Sequence, residues 1–353
     1  MQAEQPVVMV TGGSGLLGSR LIQRLRGDYR VVSLDREGDP LAAADVEFIC
    51  VDLTSDESVR RAIDRVRSLY GNDVAALVHL AAFYDFSGRP SPLYEKVTVQ
   101  GTARLLDAVQ TLELSQFVFS STMLVHRSSP PGHRIAEDDP VEAGWAYPES
   151  KLRTEKVIAE RRGHIPAVVL RIAGVYDEDG HSPPIANQVK RIHGRWVTSH
   201  FYPADPNRGQ AFVHRDDVID AILAVVDRRH KLPDDATILI GEPETIGYGE
   251  LQDLIAHELH GKPWRTQQIP KALSRLGAWV REKNPLGPEP FIRPWMVDWA
   301  DDHYELDISR ARELLDWEPR HSLRATLPEM LRRVKADPPA WYAANKLNPP
   351  RRA

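Results

Sequence analysis

Short apolar runs alternate with amphipathic stretches through the first two thirds of the chain. Val7-Val8-Met9-Val10 is apolar at every position, the pattern of a strand buried on both faces in a parallel sheet. Similar runs recur at 30–34, 47–51, 74–80, 117–119, 167–172 and 237–240. Between them, helical spacing predicts helices over 19–26, 56–70 (with a polar face), 93–112, the stretch that opens at Tyr147, and 216–228. Strand and helix alternating in this order predict an α/β fold built on a doubly wound parallel sheet, with its ligand at the carboxyl ends of the strands. No internal repeat is visible.

The first strand leads directly into Thr11-Gly12-Gly13-Ser14-Gly15-Leu16-Leu17-Gly18. Glycines at 12, 15 and 18 permit a tight turn, close approach of backbone N–H groups to a pyrophosphate, and close helix–strand packing. The second strand ends at Asp35, about twenty residues further on, where a carboxylate accepts hydrogen bonds from the adenosine ribose hydroxyls. That position favours NAD. Its neighbour Arg36 could instead grip a 2′-phosphate, so NADP stays open, as does a reading of Asp35 as a simple strand-end cap. Asp52-Leu53 at the end of the third strand, and Leu80-Ala81-Ala82 at the end of the fourth, complete the expected dinucleotide surface of a Rossmann-type domain.

After Tyr176 the alternation breaks. Residues 177–210 carry Pro183-Pro184, Pro203 and Pro206 with little regular period. From Gly247 the chain reads as helical with proline punctuation, and holds six of the eight tryptophans. The expected division is therefore a discontinuous NAD-binding domain (1–176 plus 211–245) and a smaller, mostly helical substrate-binding cap (177–210 plus 246–336). The tail, 337–353, with Pro338-Pro339 and Pro349-Pro350, reads as an extended C-terminal arm.

Composition narrows the class. At 353 residues the chain is too long for one ordinary core. The 42% hydrophobic and 27% charged fractions are those of a soluble globular protein. The 45 basic and 50 acidic residues are well mixed, and no basic stripe suggests nucleic acid. The single cysteine, Cys50, excludes an internal disulfide and fits a reducing cytosol. The N-terminus lacks a signal-peptide layout, and no apolar run approaches the roughly 18 residues of a membrane span. A cytoplasmic protein acting on a small molecule is expected, without a metal; assembly as a homodimer is left open.

Candidate chemistry centres on Tyr147-Pro148-Glu149-Ser150-Lys151. A Tyr and a Lys four residues apart on a helix share one face, so a phenol stands beside an ammonium. A nearby cation favours the phenolate and is expected to pull the phenol's pKa down from about 10, toward the range useful for acid–base work. YxxxK also occurs by chance in many helices, and gains its meaning from the glycine loop upstream.

Together these residues resemble the extended short-chain dehydrogenase/reductase family, which includes nucleotide-sugar epimerases and dehydratases. The resemblance runs from the TGGSGLLG loop to Leu306-Asp307-Ile308-Ser309-Arg310 and Leu315-Asp316-Trp317-Glu318-Pro319, similar to the family's C-terminal "D-S-x-A … L-G-W-x-P" pattern. It implies that Tyr147 is the general acid/base, that Lys151 lowers its pKa and binds the nicotinamide ribose, and that Thr122 holds the reacting oxygen. Phe212-Val213-His214-Arg215-Asp216-Asp217 resembles "F-V-H-V-D-D", a structural motif in which an Asp caps the late helix.

Departures from the family pattern bear on the substrate. The family's dehydratases and decarboxylases carry an acidic residue just after the Thr; here Met123 and Leu124 follow, which implies no dehydratase activity. Gly174 stands where "R-x-x-N-V-Y-G-P" has Asn, which weakens the case for a sugar nucleotide. Other cap arginines, Arg195, Arg208 or Arg293, could compensate. Phe83-Tyr84-Asp85-Phe86 places three aromatic rings after the fourth strand; they either face a partly apolar substrate or pack under the cap. The expectation is an NAD(P)-dependent oxidoreductase acting at a secondary alcohol or ketone. A nucleotide-sugar epimerase and a non-catalytic NAD(P)-binding regulatory or scaffold protein remain as alternatives.

Overall fold

The computed structural model describes residues 5–37, 46–85, 88–282 and 292–349. Its frame is a seven-stranded sheet. In chain order the strands are β1 (Val7–Thr11), β2 (Arg30–Asp35), β3 (Glu47–Cys50), β4 (Ala76–His79), β5 (Phe117–Thr122), β6 (Ala167–Ile172) and, after two short outlying strands β7 (Gly174–Tyr176) and β8 (Phe212–His214), β9 (Asp235–Ile240). They lie in the order β9-β6-β5-β4-β1-β2-β3, and every pairing is parallel. Parallel strands must be joined by crossovers, which here place helices on both faces of the sheet. That explains the uniformly apolar runs: Val7–Thr11 and Ala167–Ile172 are buried at every position.

The helices packed about the sheet are α1 (Leu16–Leu25), α2 (Asp56–Tyr70), α3 (Gln100–Val109), α4 (Ala146–Arg161) and α6 (Arg215–Asp227); α5 (Pro183–His193) and α7 (Tyr248–His260) pack together in a separate cluster. Helix α1 starts at Leu16, earlier than the expected 19, because Gly15 is its N-cap and ends the glycine turn directly on the helix. The expected helix over 93–112 divides into a π-helical stretch, Tyr94–Val99, and α3. Helix α6 corrects the expected cap: the His214 side chain, not Asp216, accepts the Asp216 N–H at the helix start. Asp216 instead takes Arg20 of α1 in a two-pronged ion pair of 2.9 and 2.8 Å, tying α6 to the glycine-loop helix.

Prolines also open helices outside the sheet. The proline-rich stretch 177–210 contains α5, because Pro183 and Pro184 occupy its first turn, where a missing N–H costs nothing. Ile185, Ala186, Val189 and Ile192 then form a buried stripe. The tail is no extended arm. Asp337 accepts the Ala340 N–H at 3.0 Å and starts helix Pro338–Ala344, while 350–353 lie outside the described residues. Trp341 and Tyr342 of that helix are buried in a third apolar cluster with α5, α7 and helix Leu323–Ala336, and the Tyr342 hydroxyl lies 2.8 Å from His193 Nδ1. Burying two such rings stabilises the docking by about 3 kcal/mol or more, which an extended arm would forgo.

Candidate functional site

The ends of β1 and β4 build the first wall. Gly12, at φ +72°, turns the chain so tightly that a Cβ there would meet Ala81 N at 2.9 Å. The Thr11 hydroxyl accepts the Ala81 N–H at 3.2 Å, and His79, fully buried, lies 2.7 Å from Thr11 Oγ1 and 2.9 Å from Thr102 Oγ1. Burial, with the Lys151 charge adding to it, pushes His79 down to about 3 and keeps it neutral. Asp35 Oδ2 accepts both the backbone N–H and the hydroxyl of Ser14, so the acidic residue and the glycine loop are held together.

The second wall is β5 with α4. Tyr147 and Lys151 share the face of α4 turned to the strand end. Thr122 favours the phenolate form of Tyr147, and Lys151 Nζ donates to the Ser120 carbonyl at 2.6 Å. The expected depression of the phenol is reversed in the chain itself: burial pushes Tyr147 up to about 12, with Thr122 opposing. Lys151, buried, is pushed down to about 7 and leans over the Phe119 ring. Desolvation outweighs the lysine because the ammonium is aimed at a carbonyl rather than at the phenol.

Both walls open on one cleft with a cavity volume of about 340 Å³. Its lining includes Gly12, Gly15, Leu16, Leu17, Gly18, Leu80, Ala82, Tyr84, Thr122, Tyr147, Lys151 and Gly174 among the expected residues. Gly13, Ser14, Asp35, Arg36, Asp52, Leu53, Ala81 and Phe83 are not among its walls. Asp52 Oδ1 is taken by the N–H and hydroxyl of Thr54, and Leu53 is buried against Gly101. Phe83 packs edge-on to Tyr94 at 4.8 Å, the structural reading of that ring, whereas Tyr84 meets the Tyr147 ring at 5.0 Å. Phe86 lies outside the described residues. Gly174 is explained by packing: a Cβ there would meet the Phe212 ring at 2.9 Å.

A second cavity, of about 290 Å³, adjoins the cleft and shares Leu124, Pro184 and Gln210 with it. Its wall is aromatic: Trp145, Phe201, Tyr202, Phe212, Tyr248, Trp295, Trp299 and Tyr304 all line it. Trp145, just before α4, touches both the Tyr147 ring at 5.5 Å and Trp295 at 5.1 Å. Sequence reading missed Trp145, although its place two residues before Tyr147 was a usable signal. Of Arg195, Arg208 and Arg293, only Arg208 lines this cavity, and it donates to the Asp301 carbonyl. At the wall of the first cleft, His181 approaches Asp177 and Asp179 within 4.8 Å, but Arg215 and His181 already pair with Asp177, both at 2.7 Å.

The family model for the NAD dependent epimerase/dehydratase family matches residues 8–241. The chain belongs to that family. The mouse 3 beta-hydroxysteroid dehydrogenase type 7 is 33% identical over 231 residues, 59% of this chain and 60% of that enzyme. The dTDP-6-deoxy-L-talose 4-dehydrogenase (NAD(P)(+)) of Kitasatospora kifunensis is 27% identical over 335 residues, covering 92% and 94%. Among solved structures, MoeE5 in complex with UDP-glucose and NAD aligns with a TM-score of 0.68 at 22% identity, over 93% of this chain and 98% of that one. This last likeness supports the fold. As a member of the NAD dependent epimerase/dehydratase family the chain is an enzyme that uses NAD, and the glycine cradle, which a Cβ at 12 or 18 would fill, fits that cofactor. No helix among the described residues is long and apolar enough to cross a membrane.

Proposed function

We propose that the chain is a dehydrogenase or reductase that interconverts a secondary ring alcohol and its ketone on a partly apolar substrate. The carrying observation is the aromatic cavity that opens beside Tyr147. The glycine loop and the N-terminus of α1 receive the dinucleotide phosphates, Asp35 and the neighbouring Arg36, Asp52 and Leu53 its adenosine end, and Leu80–Ala82 flank it. Bound NAD supplies the hydride acceptor. Tyr147 takes the alcohol proton, or returns one to the carbonyl oxygen, and Thr122 fixes that oxygen in place. Lys151, held by Ser120 one turn from Tyr147, would bind the nicotinamide ribose of the cofactor. Because burial leaves Tyr147 protonated near neutrality, reduction is favoured at neutral pH and alcohol oxidation speeds up as pH rises. The discontinuous cap (177–210 plus 246–336) closes over the apolar cavity.

Steroid and sterol dehydrogenases recur among the relatives, including the sterol-4-alpha-carboxylate 3-dehydrogenase of Candida albicans at 30% identity. They support a fused-ring alcohol as the substrate. A nucleotide-sugar substrate is the second reading, favoured by the near-full-length match to the talose dehydrogenase. Against it, Arg191 and Arg208 in the cavity are anchored on Thr198, Tyr248 and Asp301 of the chain itself, and most of the wall around them is aromatic. A panel of 3β-hydroxysterols, dTDP-6-deoxyhexoses and UDP-glucose, followed by NADH formation, decides between them. Turnover of the sterols and weak UDP-glucose binding are expected. Micromolar UDP-glucose binding with C4 epimerisation seen by NMR overturns the first reading.

Cofactor choice is a separate prediction. Asp35 carries a negative charge where NADP would bring a phosphate, so calorimetry should show NAD binding tighter than NADP by about tenfold or more, about 1.4 kcal/mol. Asp35→Ala should erase that difference. Tighter NADP binding in the unaltered protein would mean that Arg36 governs the site.

A further inference from the structure

We propose that Glu155 is a positioning residue of the catalytic centre, tying the strand end that carries Ser120 and Thr122 to the helix face that carries Tyr147 and Lys151. The inference rests on the reading of Tyr147 as the acid–base group. Glu155 stands one turn beyond Lys151 on α4, its side chain only 10% exposed. One carboxylate oxygen accepts the Ser121 hydroxyl and the other takes Arg171 at 2.8 Å. Ser121 lies between Ser120, whose carbonyl holds Lys151, and Thr122, whose hydroxyl meets Tyr147. The sheet register pairs Ser121 with Arg171 across β5 and β6, so one carboxylate clamps both strands to the catalytic helix.

Such a clamp is needed because the reacting groups come from separate elements. Thr122 and the Ser120 carbonyl ride on β5, whereas Tyr147 and Lys151 ride on α4. A small slip between them would break the Lys151–Ser120 hydrogen bond and move Thr122 away from Tyr147. The carboxylate also acts through charge. Besides Glu155, the titratable groups around the pair are His79 on β4, Tyr84 after it, Tyr94 on the π-helical stretch, and Arg171 on β6, which lies 2.9 Å from His126 and donates to the Glu137 carbonyl. Lys151 is pushed down by burial, and the Glu155 charge opposes that shift. Without the carboxylate, Arg171 would be left as an unmatched positive charge behind the lysine.

The test is Glu155→Gln, which keeps the shape and one acceptor but loses the charge. Two measurements are made: NAD titration across pH, which needs no substrate, and turnover of the alcohol identified by the panel. The expected result is a kcat lowered roughly tenfold or more with little change in KM. The inflection in NAD affinity that reports Lys151 should also move to lower pH, and Glu155→Asp, which retains the charge, should restore its position. An unchanged kcat and an unmoved inflection overturn the proposal. Should the Gln variant fail to fold by circular dichroism, Ser121→Ala removes only the hydroxyl of the clamp. A roughly threefold or larger fall in kcat then supports it, and a normal kcat overturns it. Tyr147→Phe in parallel separates the two failures: activity lost there but intact in the Glu155 variant discards only the clamp, whereas activity intact in both discards the acid–base reading as well.

Discussion

Replacing Tyr147 by Phe lowers turnover by about a hundredfold or more while leaving NAD affinity within a few-fold of normal. The ring remains, so its contacts with Tyr84 at 5.0 Å and Trp145 at 5.5 Å persist and the cleft keeps its shape. What disappears is the hydroxyl beside Thr122, the group read as exchanging a proton with the alcohol oxygen. Because the hydroxyl is already dehydrated by burial, its removal exposes no new unpaired donor apart from Thr122, whose oxygen also accepts the Leu124 N–H at 3.3 Å. The effect should therefore fall on kcat rather than on KM. Near-normal turnover in the variant, on the substrate found by the panel, would remove Tyr147 from the mechanism and return the non-catalytic alternative to consideration.

Gly18→Ala should raise the dissociation constant for NAD by about a hundredfold, about 2.7 kcal/mol. A Cβ at Gly18 would run into the Gly12 carbonyl and come within 2.8 Å of Gly13 Cα. The Gly12 carbonyl cannot retreat freely, since it accepts the Gly15 N–H at 3.1 Å and closes the turn from β1 into α1. Backbone must therefore move, and it is the backbone that faces the dinucleotide. Gly277→Ala provides the control: a Cβ there meets nothing within 4 Å, and NAD affinity should not change. Calorimetric titration of both variants with NAD checks the pair. Equal affinities in the two would mean that the loop does not hold the phosphates as described.

Legibility in the sequence tracked how local each signal was. The apolar runs at 7–10 and 167–172 named the strands Val7–Thr11 and Ala167–Ile172 because a strand buried on both faces is written in consecutive residues. The Tyr147–Lys151 spacing needs only one helical turn. Elements outside this rule were misjudged where local chemistry pointed the wrong way. Prolines at 183–184 stood in a stretch with little regular period and start a helix; those at 338–339 looked like an arm and opened a helix whose Trp341 and Tyr342 found a distant cluster.

The sequence by itself determined the doubly wound parallel sheet, the glycine turn into α1, the acidic end of β2 and the residues facing one another on α4. Each depends on a run of consecutive apolar residues and the residue that ends it, on the 3.6-residue helical period, or on a turn that glycine permits. Only the tertiary structure decided that Phe83 packs on Tyr94 while Tyr84 meets Tyr147, and that Trp145 meets Trp295 across the cavity. It alone decided that Glu155 holds Arg171 and Ser121 behind the lysine, and that Tyr147 rises to about 12 rather than falling. Burial and the direction in which an ammonium points are set by residues far apart in the chain, and no local spacing encodes them.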